Sequence, residues 1–411
     1  MERMESEERI YLTDQYRRIF SATVNEVRKI DDSVSMVFLN RTCFYPESGG
    51  QPYDTGTLDG KTVREVREEK GRVAHIAEGS FSPGREVTGI IDFKRRFDHM
   101  QQHTGQHLLS RVFVDMFQLS TVGFHMGDSV STIDLEGDTP SEDILEKAER
   151  NANRLIYENL SVRFSNVTPE QFGRISREKD YKPRSDIPLE ADRVRLVEVE
   201  GVDINACCGT HTGRTGEVGI IKITGTERVR GNTRIEFLCG YRALADYLEK
   251  DRIVSSIASF SSTSVSGIGE AFRKLAEENK MLGKEIKSLR QKIASTRAEQ
   301  LDADGEIGGH SLVKKVLEDV DPGMLGTMAG DMREEGMEIV LLGVGGDKPA
   351  LVFACSPGID MDMSEILNEA AGIMDARGGG SRDFARGGGG DATRLKETLD
   401  RGEKLVRERL E

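Results

Sequence analysis

His103-Thr104-Gly105-Gln106-His107 is answered, far along the chain, by Cys207-Cys208-Gly209-Thr210-His211, and these two stretches set the reading of everything else. The first stands before Leu108, Leu109, Val112, Phe113 and Met116, whose three-and-four spacing predicts one face of a helix. Residues four apart on a helix are neighbours, with Cβ atoms about 5–6 Å apart, so His103 and His107 point the same way and can share one ion. Cys207 and His211 complete the set from a turn. One thiolate with three imidazoles suits zinc better than magnesium or calcium, which prefer oxygen ligands. Either motif alone arises readily by chance. Together they carry weight, because only seven histidines occur in 411 residues and three of them sit here.

A chain of 411 residues exceeds what one hydrophobic core normally serves, so two to four domains are expected. A formal charge of -14 and a pI near 5.2 argue against nonspecific coating of nucleic acid, so a polyanionic partner needs a local basic patch. No apolar run approaches the roughly 18 residues of a membrane span, and the charged start Met1–Ile10 has no signal-peptide core. A cytoplasmic protein with no membrane partner is expected. Cysteines 43, 207, 208, 239 and 355 are odd in number and scattered, which fits a reducing compartment and metal ligation rather than a disulfide framework.

The expected architecture is α+β in four segments. Residues 1–95 read as a β-barrel-like subdomain with strands at 22–24, 33–39, 57–58 and 87–91. Its loop from Phe44 to Gly56 is rich in glycine and polar side chains; Gly49 and Gly50 allow positive φ and close approach of a ligand, although a wide hairpin explains the same residues. Residues 96–242 hold both motifs, with a helix before strand 129–135, a helix from Ser141 to about Asn159, and strands near 194–199, 219–224 and 234–238. Spacing leaves His99 open as a ligand, a supporting residue or a structural one. His125 either lines the pocket or caps a turn, and His75 and His310 take no role.

Residues 243–302 form a helical linker. Phe272, Leu275, Asn279, Leu282, Ile286, Leu289 and Ile293 step by three and four like the seam of a short coiled coil with Asn279 at an a position. A homodimer and an antiparallel hairpin within one chain, using 246–257, both satisfy that pattern. Residues 303–411 form a small α/β domain in which 339–343 and 351–354 read as a hairpin. Glycine runs 378–380 and 387–390, interleaved with Arg377, Arg382 and Arg386, offer N–H groups and cations to phosphates, or serve as a flexible linker.

The loop 44–56, the paired histidines at 103 and 107, and Cys207 to His211 followed by Gly213-Arg214-Thr215-Gly216-Glu217 resemble the editing region of alanyl-tRNA synthetases and its free-standing relatives, the AlaX family, over residues 10–245. The tail is similar to the DHH-associated C-terminal domain of those synthetases, more loosely, through its glycine runs. The resemblance implies a zinc-dependent hydrolase, one zinc per chain, that removes serine, and by extension glycine, wrongly attached to the alanine tRNA. His103, His107, Cys207 and His211 fall on the family's metal positions. The family more usually reads Cys-Gly-Gly-Thr-His; here Cys208 replaces the first glycine, and Cys207 keeps the ligand spacing while Cys208 competes with it. The resemblance also implies tRNA contact through the tail, at Arg377, Arg382 and Arg386, and dimerisation through the tail or the 272–293 helix. Because the β-rich entrance begins almost at Met1, the long free-standing form acting in trans is the expectation.

A small apolar pocket for alanine rejects serine by only about a hundredfold, whereas a site that hydrogen-bonds the hydroxyl refuses the analogue lacking it by about 10⁴–10⁵. Ser48, Gly49, Gly50, Gln51, Thr104 and His125 are the expected substrate-binding residues. Two other classes fit the residues. One is a tRNA-binding module with a closed structural zinc; the other is a zinc hydrolase of another ester or amide, against which stands the missing Glu of H-E-x-x-H.

Overall fold

The computed structural model describes residues 7–178 and 193–410. Residues 1–6, part of the stretch read above as lacking a leader core, lie outside the described residues. The architecture is mixed α+β with several sheets, divided into two compact units, Met1–Ser256 and Ile257–Glu411. The first unit holds both the barrel and the motif-bearing helix, which are tied by buried polar bridges.

The first unit opens with a closed six-stranded barrel, in the order Ile19–Lys29, Val34–Leu39, Arg72–Glu78, Lys61–Glu69, Gly56–Leu58, Glu86–Ile91. Strand Glu86–Ile91 alternates strictly, with Val87, Gly89 and Ile91 facing in. Gly89 is required there, because a Cβ would come within 2.2 Å of the Phe20 ring. Lys61–Glu69 looks too charged for a core strand, yet Val63 and Val66 are fully buried. Their spacing of three breaks the period of two because a bulge falls between Val63 and Glu65. Lys70 and Gly71, both at positive φ, then turn the chain into Arg72–Glu78.

Asp92 caps the helix Phe93–Phe117, accepting from the N–H groups of Lys94 and Arg95. This helix is buried nearly along its length, including Gln101, Gln102, His103, Thr104, Gln106 and His107. Buried polar groups must be paired, so such a helix demands an equally polar socket. Arg96 supplies one anchor: it forms a fully buried ion pair with Asp54 of the glycine-rich loop and donates to the carbonyls of Gln15 (2.9 Å) and Cys43 (2.6 Å). Gly105 supplies another, since a Cβ at that position would stand 2.3 Å from the Cys239 sulfur.

Cys239 ends a four-stranded antiparallel sheet in the order Ile221–Val229, Asn232–Cys239, Ser131–Leu135, Thr121–Met126. Helix Glu142–Tyr157 packs beside the Phe93–Phe117 helix through Ala148, Ala152, Leu155 and Ile156. Strands Val162–Val167, Val194–Val199 and Asp203–Ala206 form a separate antiparallel sheet whose last strand delivers Cys207.

In the second unit a six-stranded sheet runs Gly305–Ile307, His310–Leu317, Ile339–Val344, Ala350–Cys355, Phe384–Gly388, Arg377–Gly380, with one parallel pair, His310–Leu317 on Ile339–Val344. Most of the glycine runs lie in strands here, and Gly389 and Gly390 follow the second strand at positive φ. Gly378 pairs with Gly387 and Gly379 with Arg386 as adjacent strands. Helix Ile268–Ala298 is 31 residues long; Ala294 and Ala298 enter the core, while Phe272, Leu275, Leu282, Ile286, Leu289 and Ile293 are half exposed or more. Among the described residues no helix is long and apolar enough to cross a membrane.

Candidate metal centre

The helix and the loop after Asp203–Ala206 bring His103, His107, Cys207 and His211 together, with one ligand atom from each lying within 4.8 Å of all the others. Cys207 Sγ is 3.4 Å from His103 Nε2 and 3.3 Å from His211 Nε2. Zinc bonds of about 2.3 Å to sulfur and about 2.0 Å to nitrogen, opened to a tetrahedral angle, hold S and N about 3.5 Å apart. The donor set therefore fits zinc in both type and spacing. Cys208 is exposed and outside the group.

Each imidazole turns its other nitrogen to an oxygen. His103 Nδ1 meets Gln51 Oε1 at 2.9 Å, His107 Nδ1 meets the Asp203 carboxylate at 3.4 Å, and His211 Nδ1 meets Thr104 Oγ1 at 3.3 Å. Gln51 Oε1 also accepts from the Thr210 N–H (3.0 Å), which fixes the amide orientation and leaves Nδ1 of His103 as the donor. Such outer contacts hold ring and tautomer so that Nε2 is free for a metal. The electrostatics agree. Burial alone pushes the Cys207 thiol up, but the facing imidazoles of His103 and His211 hold it well below the usual thiol range. Burial and the neighbouring His103 hold His211 far below the ordinary imidazole value, in its neutral form. Burial pushes His107 down, and contact with Asp203 and Cys207 more than reverses that.

Gly209 is dictated by the same geometry, because any Cβ there would strike the His103 ring at 2.1 Å. Position 208 points outward, so a cysteine in place of glycine is accommodated. Arg195, nearly buried, braces the loop: Nη1 donates to the carbonyls of Cys207 (2.7 Å) and Gly209 (3.1 Å), and its guanidinium lies 4.7 Å over the Phe164 ring.

The residues expected to bind substrate divide into two groups. Gln51 and Thr104 are fully buried and committed to the histidines, as described. Gly50 is partly buried; its carbonyl accepts from Met126 N–H at 2.9 Å. Ser48 and Gly49 are exposed at the tip of the hairpin. His125 is exposed too, and it is the preceding residue, Phe124, whose ring lies 5.3 Å from His103. Strand alternation explains this, since Phe124 pairs with buried Ile133 and His125 falls on the other face. His99 is buried outside the group of four; burial, with Arg95 and Arg242 nearby, pushes it down to about 3. His75 sits in the barrel against Thr42 and the Val37 carbonyl, and His310 against Glu338. In the second unit Arg377, Arg382 and Arg386 are exposed, with Arg382 paired to Asp360 and Arg386 lying over Phe384.

Sequence reasoning passed over Asp203, Arg195, Phe124 and Gln15, whose Oε1 accepts from the His211 N–H. A signal existed for Asp203. In a strand ending at Cys207, alternation places 203 and 205 on one face, where a carboxylate and an amide are unusual unless they serve buried partners.

Residues 4–95 match the family of class II (A) tRNA synthetases, residues 194–236 the second additional domain of threonyl and alanyl tRNA synthetases, and residues 308–408 the DHHA1 domain. The alanyl-tRNA editing protein AlaX-L of Pyrococcus horikoshii is 31% identical over 389 residues, 92% of this chain and 94% of that protein. The alanyl-tRNA editing protein Aarsd1 of Mus musculus is 29% identical, across 85% of this chain and 84% of its own length. The alanine–tRNA ligase of Natronomonas pharaonis is 32% identical over 98% of this chain, which spans 44% of that longer protein. With both motifs converging on one four-donor centre, and near full-length similarity to such a protein, the chain belongs to the alanyl-tRNA editing protein family.

Proposed function

We propose that this protein is an aminoacyl-tRNA deacylase that removes serine from the alanine tRNA, acting in trans on tRNA charged elsewhere. The observation that carries the reading is the convergence of three Nε2 atoms and one thiolate, each imidazole held by its own oxygen. His103, His107, Cys207 and His211 would hold one zinc. A zinc bound there would supply a Lewis acid for the ester carbonyl or for water.

The chain's own residues do the rest. Gln51, Asp203 and Thr104 fix the three rings, and Arg195 holds the cysteine loop by its carbonyls. With Gln51 and Thr104 so committed, Ser48, Gly49, Gly50 and His125 are the expected residues left to meet the serine hydroxyl. Phe124 closes one wall beside His103 with an apolar ring. Arg377, Arg382 and Arg386 contact the tRNA body, and the exposed apolar face of the 268–298 helix pairs with a second copy. One observation favours a second reading: four protein donors fill a tetrahedral shell, the usual arrangement of a structural zinc, which makes the protein a tRNA-binding module. Deacylation separates the two. Purified protein is expected to strip seryl-tRNA of the alanine type and spare the alanyl form. Binding without any hydrolysis establishes the module instead.

A further inference from the structure

We propose that Arg18, set over the ring of Phe93 at the start of the motif-bearing helix, is a stacking platform for a base in the single-stranded 3′ end of the tRNA, with Lys94 meeting the adjoining phosphate. This rests on the deacylase reading and specifies how the substrate reaches the centre. The Arg18 guanidinium carbon lies 4.0 Å from the centroid of the Phe93 ring, which in turn stacks on Phe97 at 5.9 Å and meets Tyr16 at 6.2 Å. A guanidinium held on one face by an aromatic ring offers its other face to a base, and such stacking tolerates any base.

Charge supports this place. The chain carries a net -14, and most arginines of the barrel are taken by carboxylates: Arg17 by Asp14, Arg28 by Glu26 and Glu69, Arg64 by Glu78, Arg72 by Glu26. Arg18 and Lys94 are both exposed, and among the described residues neither has an acidic partner. A polyanion approaching this unit meets two uncompensated cations there. Beside them Ile19 (58% exposed) and Ile90 (44%) face each other across two strands, giving an apolar margin against which a sugar or base can rest.

The platform is also joined to the metal centre. The Tyr16 hydroxyl donates to Glu217 and accepts from the Gly213 N–H, each at 2.6 Å, and the neighbouring Gln15 holds the His211 N–H. Phe93 stands ten residues before His103 on one helix, about 15 Å at 1.5 Å per residue, a span that a few nucleotides of single strand cover.

The test compares wild type, Arg18→Ala, Arg18→Lys and Lys94→Ala in three measurements: tRNA binding across salt concentrations, deacylation of full seryl-tRNA, and hydrolysis of the short seryl ester of adenosine. Arg18→Ala is expected to raise Kd and KM for the tRNA about tenfold, with kcat, zinc content and hydrolysis of the short ester unchanged. Arg18→Lys keeps the charge without the plane, so it restores the salt dependence but only part of the affinity. Lys94→Ala lowers the salt slope by about 0.7. An unchanged KM in Arg18→Ala overturns the platform, as does an equal loss on the short ester, which marks Arg18 as structural. If wild type hydrolyses no seryl ester yet Arg18→Ala still weakens tRNA binding, the deacylase reading fails and the platform stands.

Discussion

Around Gly49 and Gly50 the backbone reverses within two residues, both at positive φ (58° and 83°), between Ser48 and Gln51, which exchange backbone hydrogen bonds. Gly378, Gly379 and Gly380 lie instead in an extended strand, paired with Phe384–Gly388. The two stretches look alike in composition. In the first, glycine is used for a backbone conformation that other residues rarely adopt. In the second it is used for its missing side chain: a Cβ on Gly378 would stand 2.3 Å from Leu367 and 2.5 Å from the Arg386 carbonyl oxygen. The first device swings Gln51 into the metal centre, while the second lets a helix lie close on a sheet. Composition reports glycine, and only the pairing tells which property is in use.

Single substitutions sharpen this contrast. Gly50 needs both properties, since a Cβ there would meet the Phe124 carbonyl oxygen at 2.6 Å as well as a left-handed backbone. Gly50→Ala is expected to cost about 3 kcal/mol in denaturant unfolding of the first unit and to cut deacylation more than tenfold, by displacing Gln51. Gly49→Ala, with nothing within 4 Å, carries only the backbone cost of about 1 kcal/mol. Equal losses at 49 and 50 would break the account of the hairpin.

Next in size, Gly378→Ala should destabilise the second unit by about 2 kcal/mol, read from its own unfolding transition, and leave hydrolysis of a short seryl ester intact. Its neighbour Gly379 has open space, so Gly379→Ala should be neutral or gain about 0.5 kcal/mol. If both behave alike, the close-packing explanation is wrong.

A last substitution separates orientation from ligation. Gln51→Ala removes the acceptor from His103 Nδ1 but no metal donor, so zinc affinity should fall by about 10- to 100-fold without being abolished. Competition with a chelator of known affinity reads this directly; an unchanged affinity would return Gln51 to the substrate side of the pocket.

How much was legible follows from where each contact originates. His103 and His107 are four apart on a helix and Cys207 and His211 four apart in a turn, so local spacing shows each half of the cluster, while the choice of Cys207 over Cys208 came from the resemblance. The alternating strands of the barrel were equally local, apart from Lys61–Glu69, whose bulge shifts the register and hides the inward valines behind charge. The supporting oxygens were not legible, because Gln51, Asp203 and Thr104 reach their histidines from positions widely separated in sequence. Gln51 and Thr104 stand out in the sequence only as polar groups beside the motifs, and their burial against His103 and His211 comes from the fold. His125 drew attention as a histidine, yet the strand turns Phe124 toward the centre.

Metal content decides the central claim most directly, measured by elemental analysis on wild type, Cys207→Ala and Cys208→Ala purified side by side. One zinc per chain in wild type and in Cys208→Ala, with none retained by Cys207→Ala after mild chelation, is the expected result. A wild-type chain without zinc, or zinc lost from Cys208→Ala and kept by Cys207→Ala, would contradict it.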